Sequence, residues 1–247
     1  MSDLHSELQK NLLLAALPAE DLARIEPHLE LVDLALGDVV YEAGREQTHL
    51  FFPLDCIVSL LYVMEDGDTG EMAIIGNDGV VGVALFMGGQ SMASRAVVQS
   101  AGSGLRIKAD IVRKEFGRAG ALQQLLLRYV QVMLAQMGQT AVCNRHHTVE
   151  QQLCRWLLMS LDRLPGNELT MTQELIANML GVRREGVTEA AGRLQKEHII
   201  SYSRGRIKVL DRARLEQASC ECYQVVRDEM DRLLPREPSA ARLVQSA

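Results

Sequence analysis

The chain has 247 residues, 47% of them hydrophobic and 23% charged. That composition belongs to a folded globular protein and excludes a disordered one. No apolar run approaches the roughly 18 to 20 residues needed to span a bilayer. The net charge of −6 is spread unevenly. From Arg145 to Leu215 there are 12 Lys/Arg against 8 Asp/Glu (+4), while the remainder has 14 against 24 (−10). A locally basic segment in an acidic chain points to one part that meets a polyanion.

The opening "MSDLHSELQKNLLLAALPAED" has one lysine ahead of a short Leu/Ala stretch. It reads as an amphipathic helix of a cytoplasmic protein and not as a signal peptide. Five cysteines, an odd count without framework spacing, fit a reducing compartment. Residues 6–31 predict two short helices broken at Pro18, with Leu12, Leu13, Leu14, Leu22 and Ile25 as their apolar side. From Val32 the pattern becomes short β-favouring runs punctuated by glycine. "SLLYVMEDGDTGEMAII" predicts a hairpin around Asp66-Gly67 and Gly70, and "SRAVVQSAGSGLRI" two more strands around Gly102-Ser103-Gly104. Many short strands with regular turns imply a small barrel or roll.

At about Ala109 the period becomes helical. Leu122, Leu126, Tyr129, Met133 and Met137 follow at steps of four, three, four and four. This near-heptad seam predicts packing along a second long helix, as in a homodimer. After Asn144, "RHHTVEQQLCRWLLMSLDRL" predicts a further amphipathic helix with Trp156 on its apolar face, ended by Pro165-Gly166-Asn167. The tail is expected to fray after Pro235.

The most informative stretch is "TQELIANMLGVRREGVTEAAGRLQKEHIISYSRGRI", Thr172 to Ile207. Thr172 is a good N-cap, and Glu174 places negative charge in the first turn. The first helix is expected to bury Leu175, Ile176, Met179 and Leu180. Gly181 permits a tight turn, and Ala177, Gly181 and Val187 have the spacing of a helix-turn-helix. A second helix starting near Arg183 would turn Val187, Ala190, Ala191 and Leu194 inward. Arg183, Arg184, Glu185, Thr188 and Glu189 are left outward. An arginine fork binds guanine O6 and N7, and a glutamate accepts from cytosine N4. Next, "IISYSRGRIKVL" reads as strand, Arg204-Gly205 turn and strand, a wing offering cations to phosphates. The candidate DNA contacts are Thr172, Gln173, Arg183, Arg184, Glu185, Thr188, Glu189, Arg193, Ser203, Arg204, Arg206 and Lys208. The rival reading is a ligand-binding or protein-interaction module whose winged helix contacts a protein partner and not DNA. No phosphate loop, nucleophile elbow or metal-ligand spacing favours an enzyme.

In this order of parts the sequence resembles the Crp/Fnr superfamily of transcription regulators over about residues 10–225, most closely in "MTQELIANMLGVRREGVTEAAGRLQKEHIISYSRGRI". The resemblance implies an α+β chain: an N-terminal antiparallel, jelly-roll-like β-roll of the cyclic-nucleotide-binding type, a long dimerisation helix and a C-terminal winged helix-turn-helix. The corresponding division is 1–112 for the roll, 113–145 for the helix, 146–225 for the winged helix and 226–247 for a tail. In that family the residues opening the recognition helix contact bases. Here they are Arg183, Arg184 and Glu185, with Glu189 one turn on. Arg183 replaces the family's small or hydroxyl residue and Gly186 follows the Arg-Glu pair, so a departure from the commonest half-site is expected. Double-stranded DNA and a second copy are the implied partners, with RNA polymerase if the protein activates; no membrane is involved.

The family's nucleotide cassette corresponds to "VGVALFMGGQSMASRAVVQ". Gly82, Val83, Ser94, Arg95 and Ala96 are the implied effector-site candidates. Val83 stands where a ribose-binding glutamate would be, which argues against cyclic AMP in the usual pose. Another nucleotide or small effector stays open. Arg95 is expected to meet a phosphate, to cap a strand, or to pair with Asp66 or Asp78. No metal site is expected: Cys220 and Cys222 are too isolated to complete a cluster, and adjacent His146 and His147 point apart on a helix.

Overall fold

The structure, a computed structural model, describes residues 4–234. Three short helices open it, α1 (Leu4–Leu8), α2 (Leu12–Ala15) and α3 (Ala19–Ile25), followed by a 3-10 turn at Glu26–His28. The expected pair is thus a trio. Pro18 starts α3 instead of merely breaking a longer helix. Asn11 explains the extra break: its Oδ1 accepts from the backbone of Leu13 and Leu14, and its Nδ2 donates to the carbonyls of Pro53 (2.9 Å) and Gly79 (3.0 Å). Every polar atom of this buried amide has a partner, so it fixes the N-terminal helices to the roll.

The roll is two antiparallel sheets. One has the order β1 (Glu30–Leu34), β7 (Gly102–Lys108), β3 (His49–Pro53). The other runs β2 (Val39–Tyr41), β6 (Arg95–Ser100), β4 (Ile57–Val63), β5 (Thr69–Ile75). The β4–β5 hairpin forms around Asp66-Gly67 as its sequence requires. The chain crosses from one sheet to the other between β6 and β7. Gly102 makes the crossing close, since a Cβ there would lie 2.5 Å from the Asp55 carboxylate, which accepts from both Ser103 N and Ser103 Oγ. Leu50, Phe52, Val58, Leu60, Ile75, Val98, Leu105 and Ile107 fill the space between the sheets.

After α4 (Ala84–Met87) and α5 (Ala109–Phe116), the long helix α6 runs from Ala121 to His146. Its expected dimer seam is corrected here. Leu122, Leu126, Tyr129 and Met133 are buried within the chain's own core and Met137 packs against it. Tyr129 lies directly over Gly79, where a Cβ would come within 2.4 Å of its phenol oxygen. The spacing was that of a helix seated on its own roll. The apolar side chains that α6 leaves exposed are Leu127 (51%), Leu134 (62%) and Val142 (50%).

A capping box between Thr148 and Gln151 starts α7 (Val149–Leu161). This helix is not amphipathic: Gln152 to Leu161 are all buried, because α7 is enclosed by the roll on one side and the C-terminal elements on the other. Those elements are β8 (Glu168–Thr170), α8 (Gln173–Leu180), α9 (Arg184–Lys196), β9 (Ile200–Ser203), β10 (Arg206–Val209), α10 (Arg212–Ala218) and α11 (Glu221–Leu233). Helix α11 lies along α6, where Gln131 donates to Glu229 (3.3 Å), so a helix continues across residue 226. The expected fraying beyond Pro235 lies outside the described residues. No helix among the described residues is long and apolar enough to cross a membrane.

Helix α7 joins the two halves through buried polar contacts. Trp156 is core, as expected, but its indole N–H also donates to Glu71 of β5 (3.0 Å). Arg163 grips Asp78 with two nitrogens (3.1 and 2.8 Å) and donates to Met159 O and Gln136. Burial pushes the Glu71 carboxyl up to about 7, against hydrogen bonds from Ser59 and Trp156 that act the other way. The folded state therefore holds this proton more tightly than the unfolded chain does. The resulting stability is full below about pH 4.5 and is lost as pH rises through about 7. Relative to Glu71→Gln, the wild type is expected to lose on the order of 3 kcal/mol across that window. Urea titrations of both proteins at several pH values check this, and parallel pH profiles would contradict it.

Candidate nucleic-acid interface

The helix-turn-helix forms where the local chemistry requires it. Thr172 Oγ1 accepts from Leu175 N (3.2 Å) to cap α8. Gly181 takes the left-handed conformation (φ +65°) that ends α8. Ile176, Ala177, Met179 and Leu180 are buried, but Leu175 is 39% exposed, so the inner face of α8 includes Ala177 in place of Leu175. Ala177 is 3% exposed and belongs to the core that α8 shares with α9. In α9, Val187, Ala190, Ala191 and Leu194 are buried as the spacing required.

The outer face of α9 carries Arg183, Arg184, Glu185, Thr188 and Glu189, all exposed. Thr188 Oγ1 donates to Gln173 Oε1 (2.8 Å), which locks the start of α8 to the second turn of α9. Arg193 differs from the other arginines: its guanidinium pairs with Glu150 of α7, so it holds the recognition helix in place and is not a free cation. The wing is a hairpin of β9 and β10, with β8 on the far side of β10. Arg204 (φ +52°) and Gly205 (φ +77°) are both left-handed, the requirement of a tight two-residue hairpin turn. Tyr202 Oη donates to Met171 O (2.8 Å) and so ties the wing to the segment before α8. Ile207 and Val209 face the core, leaving Ser203, Arg204, Arg206 and Lys208 exposed.

Two groups of cations stand out in this half. Arg163, Arg193, Arg212, Arg214 and Arg227 are each engaged with an acid. Arg183, Arg184, Arg204, Arg206 and Lys208 form no ion pair among the described residues, for which the protein's own carboxylates supply pairs elsewhere. Five unneutralised cations at the positive end of a helix and along the adjoining hairpin make a surface suited to an anionic partner.

The effector candidates are placed differently from expectation. Val83, Ser94 and Ala96 are buried, and Gly82 (φ +116°) lies against the carbonyl of His49. Arg95 pairs with Glu42 (3.3 Å) and not with Asp66 or Asp78. Antiparallel pairing of β2 with β6 brings Glu42 to it, while Asp78 is taken by Arg163 and Asp66 caps its own turn at Asp68 N.

Sequence reasoning missed one cluster. Cys220 and Cys222 are not isolated, because Cys143 and His147 at the end of α6 meet them. The available signal was Cys143 and His147 four residues apart across the end of α6, combined with the Cys-Glu-Cys run. His146 takes no part, as its neighbour's direction requires.

Comparison with known proteins follows this geometry. Residues 151–218 match the family model described as a Crp-like helix-turn-helix domain. The fold is similar to a transcriptional regulator of the Crp/Fnr family from Eubacterium rectale (TM-score 0.66, 18% identity, 85% of this chain and 98% of that one). It is also similar to FixK2 from Bradyrhizobium japonicum (TM-score 0.65, 16% identity, 78% and 98%). A third is CLP of Xanthomonas campestris, described as a c-di-GMP responsive global regulator (TM-score 0.60, 16% identity, 78% and 99%). No match is found among curated proteins. The chain therefore shares the fold of these structures: a β-roll, a long helix and a winged helix.

One detail of the site has a stability consequence. Arg183 occupies the N-cap of α9 with suitable extended backbone but no side-chain hydrogen bond to the helix. Arg183→Ser is expected to supply that bond and raise stability by about 0.5–2 kcal/mol. Urea denaturation measures it; an unchanged midpoint would contradict the capping argument.

Proposed function

We propose that the protein is a homodimeric, sequence-specific DNA-binding transcription regulator of the cytoplasm, reading an inverted-repeat operator. The observation that carries this is the set of unpaired cations at the start of α9 and on the wing. The N-terminal part of a recognition helix is the part that reaches base edges in the major groove. Arg183, Arg184, Glu185 and Glu189 are the readers, with Thr188 and Gln173 fixing their register. Arg204, Arg206 and Lys208 on the wing hold phosphates, supported by Thr172 and Ser203.

The second copy is proposed to pack along the side of α6 that carries Leu127 and Leu134. These are seven residues apart, and Gly138 and Ala141 continue the same stripe with small, exposed residues. Two-fold symmetry then sets the half-sites about one helical turn apart. The roll supplies signal input or dimer support. Val83 in place of an acid and Arg95 held by Glu42 disfavour cyclic AMP in the family's usual pose.

Arg184→Ala is expected to cost about 1–3 kcal/mol at one base position and relax preference there. Lys208→Ala is expected to weaken all sequences alike and to lower the salt slope by about one. Fluorescence titrations over a salt series separate the two roles, and salt-insensitive binding would favour a protein partner for the winged helix. Leu134→Glu is expected to shift the protein from dimer to monomer in sedimentation; an unchanged mass would place the dimer contact elsewhere.

A further inference from the structure

Four side chains outside the DNA-facing surface converge where α6 ends. Cys143 lies in its last turn, His147 is its C-cap with the backbone N–H bonded to Cys143 O, Cys220 precedes α11, and Cys222 is in the first turn of α11. Cys143 Sγ is 3.6 Å from Cys220 Sγ, and Cys222 Sγ is 3.5 Å from His147 Nδ1. All four donor atoms lie within 4.8 Å of one another. A tetrahedral zinc ion, with bonds of about 2.3 Å to sulfur and 2.0–2.1 Å to nitrogen, sets its ligands roughly 3.4–3.8 Å apart. An iron–sulfur cluster would separate the thiolates by its own irons and sulfides, so this spacing suits a single ion.

The surroundings have the form of an outer shell. His147 Nε2 faces the Glu221 carboxylate (3.3 Å), leaving Nδ1 directed at the thiols. Gln139 Nε2 donates to Cys222 Sγ (3.1 Å). A ligating histidine ordinarily gives its second ring N–H to a carboxylate, and ligating sulfurs receive N–H donors. The start of the 13-residue α11 adds the positive end of a helix beside two sulfurs, which favours thiolates. Cysteines packed simply as small apolar groups would need neither the histidine nor its carboxylate.

We propose that Cys143, His147, Cys220 and Cys222 form a four-coordinate structural site for one borderline-soft divalent cation, of which zinc is the best fit. Four protein ligands leave no open position, so the site holds structure and does not catalyse. Loading replaces the thiol protons, which pass to solvent, and transfers no electrons. The ion clamps the turn between α10 and α11 to the end of α6 and so fixes the C-terminal half against the long helix. This site stands independently of the DNA-binding reading.

The test uses the full-length chain, reduced, stripped with a chelator and titrated with Co²⁺. The expected result is one equivalent per chain, with the visible bands of tetrahedral cobalt and a thiolate-to-cobalt charge-transfer band, all displaced by Zn²⁺. Cys222→Ser should remove about a third of the charge-transfer intensity, as one thiolate in three is lost. His147→Asn should shift the visible bands and keep the charge transfer. Cys56→Ser, a buried thiol of the roll, should leave both unchanged. Absence of tetrahedral bands in the reduced wild type would overturn the proposal. So would bands that survive Cys220→Ser combined with Cys222→Ser, or a Cys143–Cys220 disulfide whose reduction restores no cobalt uptake.

Discussion

The grip of Arg163 on Asp78 is the contact on which the arrangement of the whole chain depends. Both groups are buried, so each would be costly alone; removing one partner of such a pair typically costs about 3–5 kcal/mol. Their geometry repays the desolvation: two nitrogens meet two oxygens, and the remaining guanidinium donors reach Met159 O and Gln136. Gly76 lies beneath, where a Cβ would come within 2.6 Å of the arginine stem. The loop after β5 is thus shaped around a side chain of the turn that follows α7.

Helix α7 then acts as the hub. One side meets the roll through Trp156 and Glu71, and another carries α9 through the Glu150–Arg193 pair. Its C-terminal end reaches α10 and α11, where Asp162 accepts from Arg212 and from Tyr223. The position of α9 relative to the roll is therefore set by the buried Trp156–Glu71 and Arg163–Asp78 contacts and by the apolar core that α7 shares with α9, with the exposed Glu150–Arg193 pair at its edge.

The winged helix was legible in the sequence because every local signal there agrees. Thr172 caps, Gly181 turns, Val187, Ala190, Ala191 and Leu194 face in, and Arg204-Gly205 makes the hairpin. The hairpin of β4 and β5 was legible for the same reason. What covers the apolar stripe of α6 was not. A stripe such as Leu122, Leu126, Tyr129 and Met133 shows that a helix is covered, but not whether its own roll or a second copy covers it. Here the roll does, and the exposed residues Leu127 and Leu134 lie on the other side. The enclosed state of α7 was hidden by Gln152 and Arg155, and that of the turn after it by Arg163, all of which look like a solvent face in the sequence yet are buried. The Arg95–Glu42 pair and the Cys143–Cys220 approach join residues 53 and 77 positions apart, a separation that only the folded topology closes.

The most direct test of the central claim is selection of binding sites from a random duplex library by the purified full-length protein. The account predicts enrichment of an inverted repeat whose half-sites are centred about one helical turn apart. Enrichment of a single unsymmetric site, or no enrichment at all, would contradict the reading of a two-fold dimer that presents Arg183 and Arg184 to the major groove.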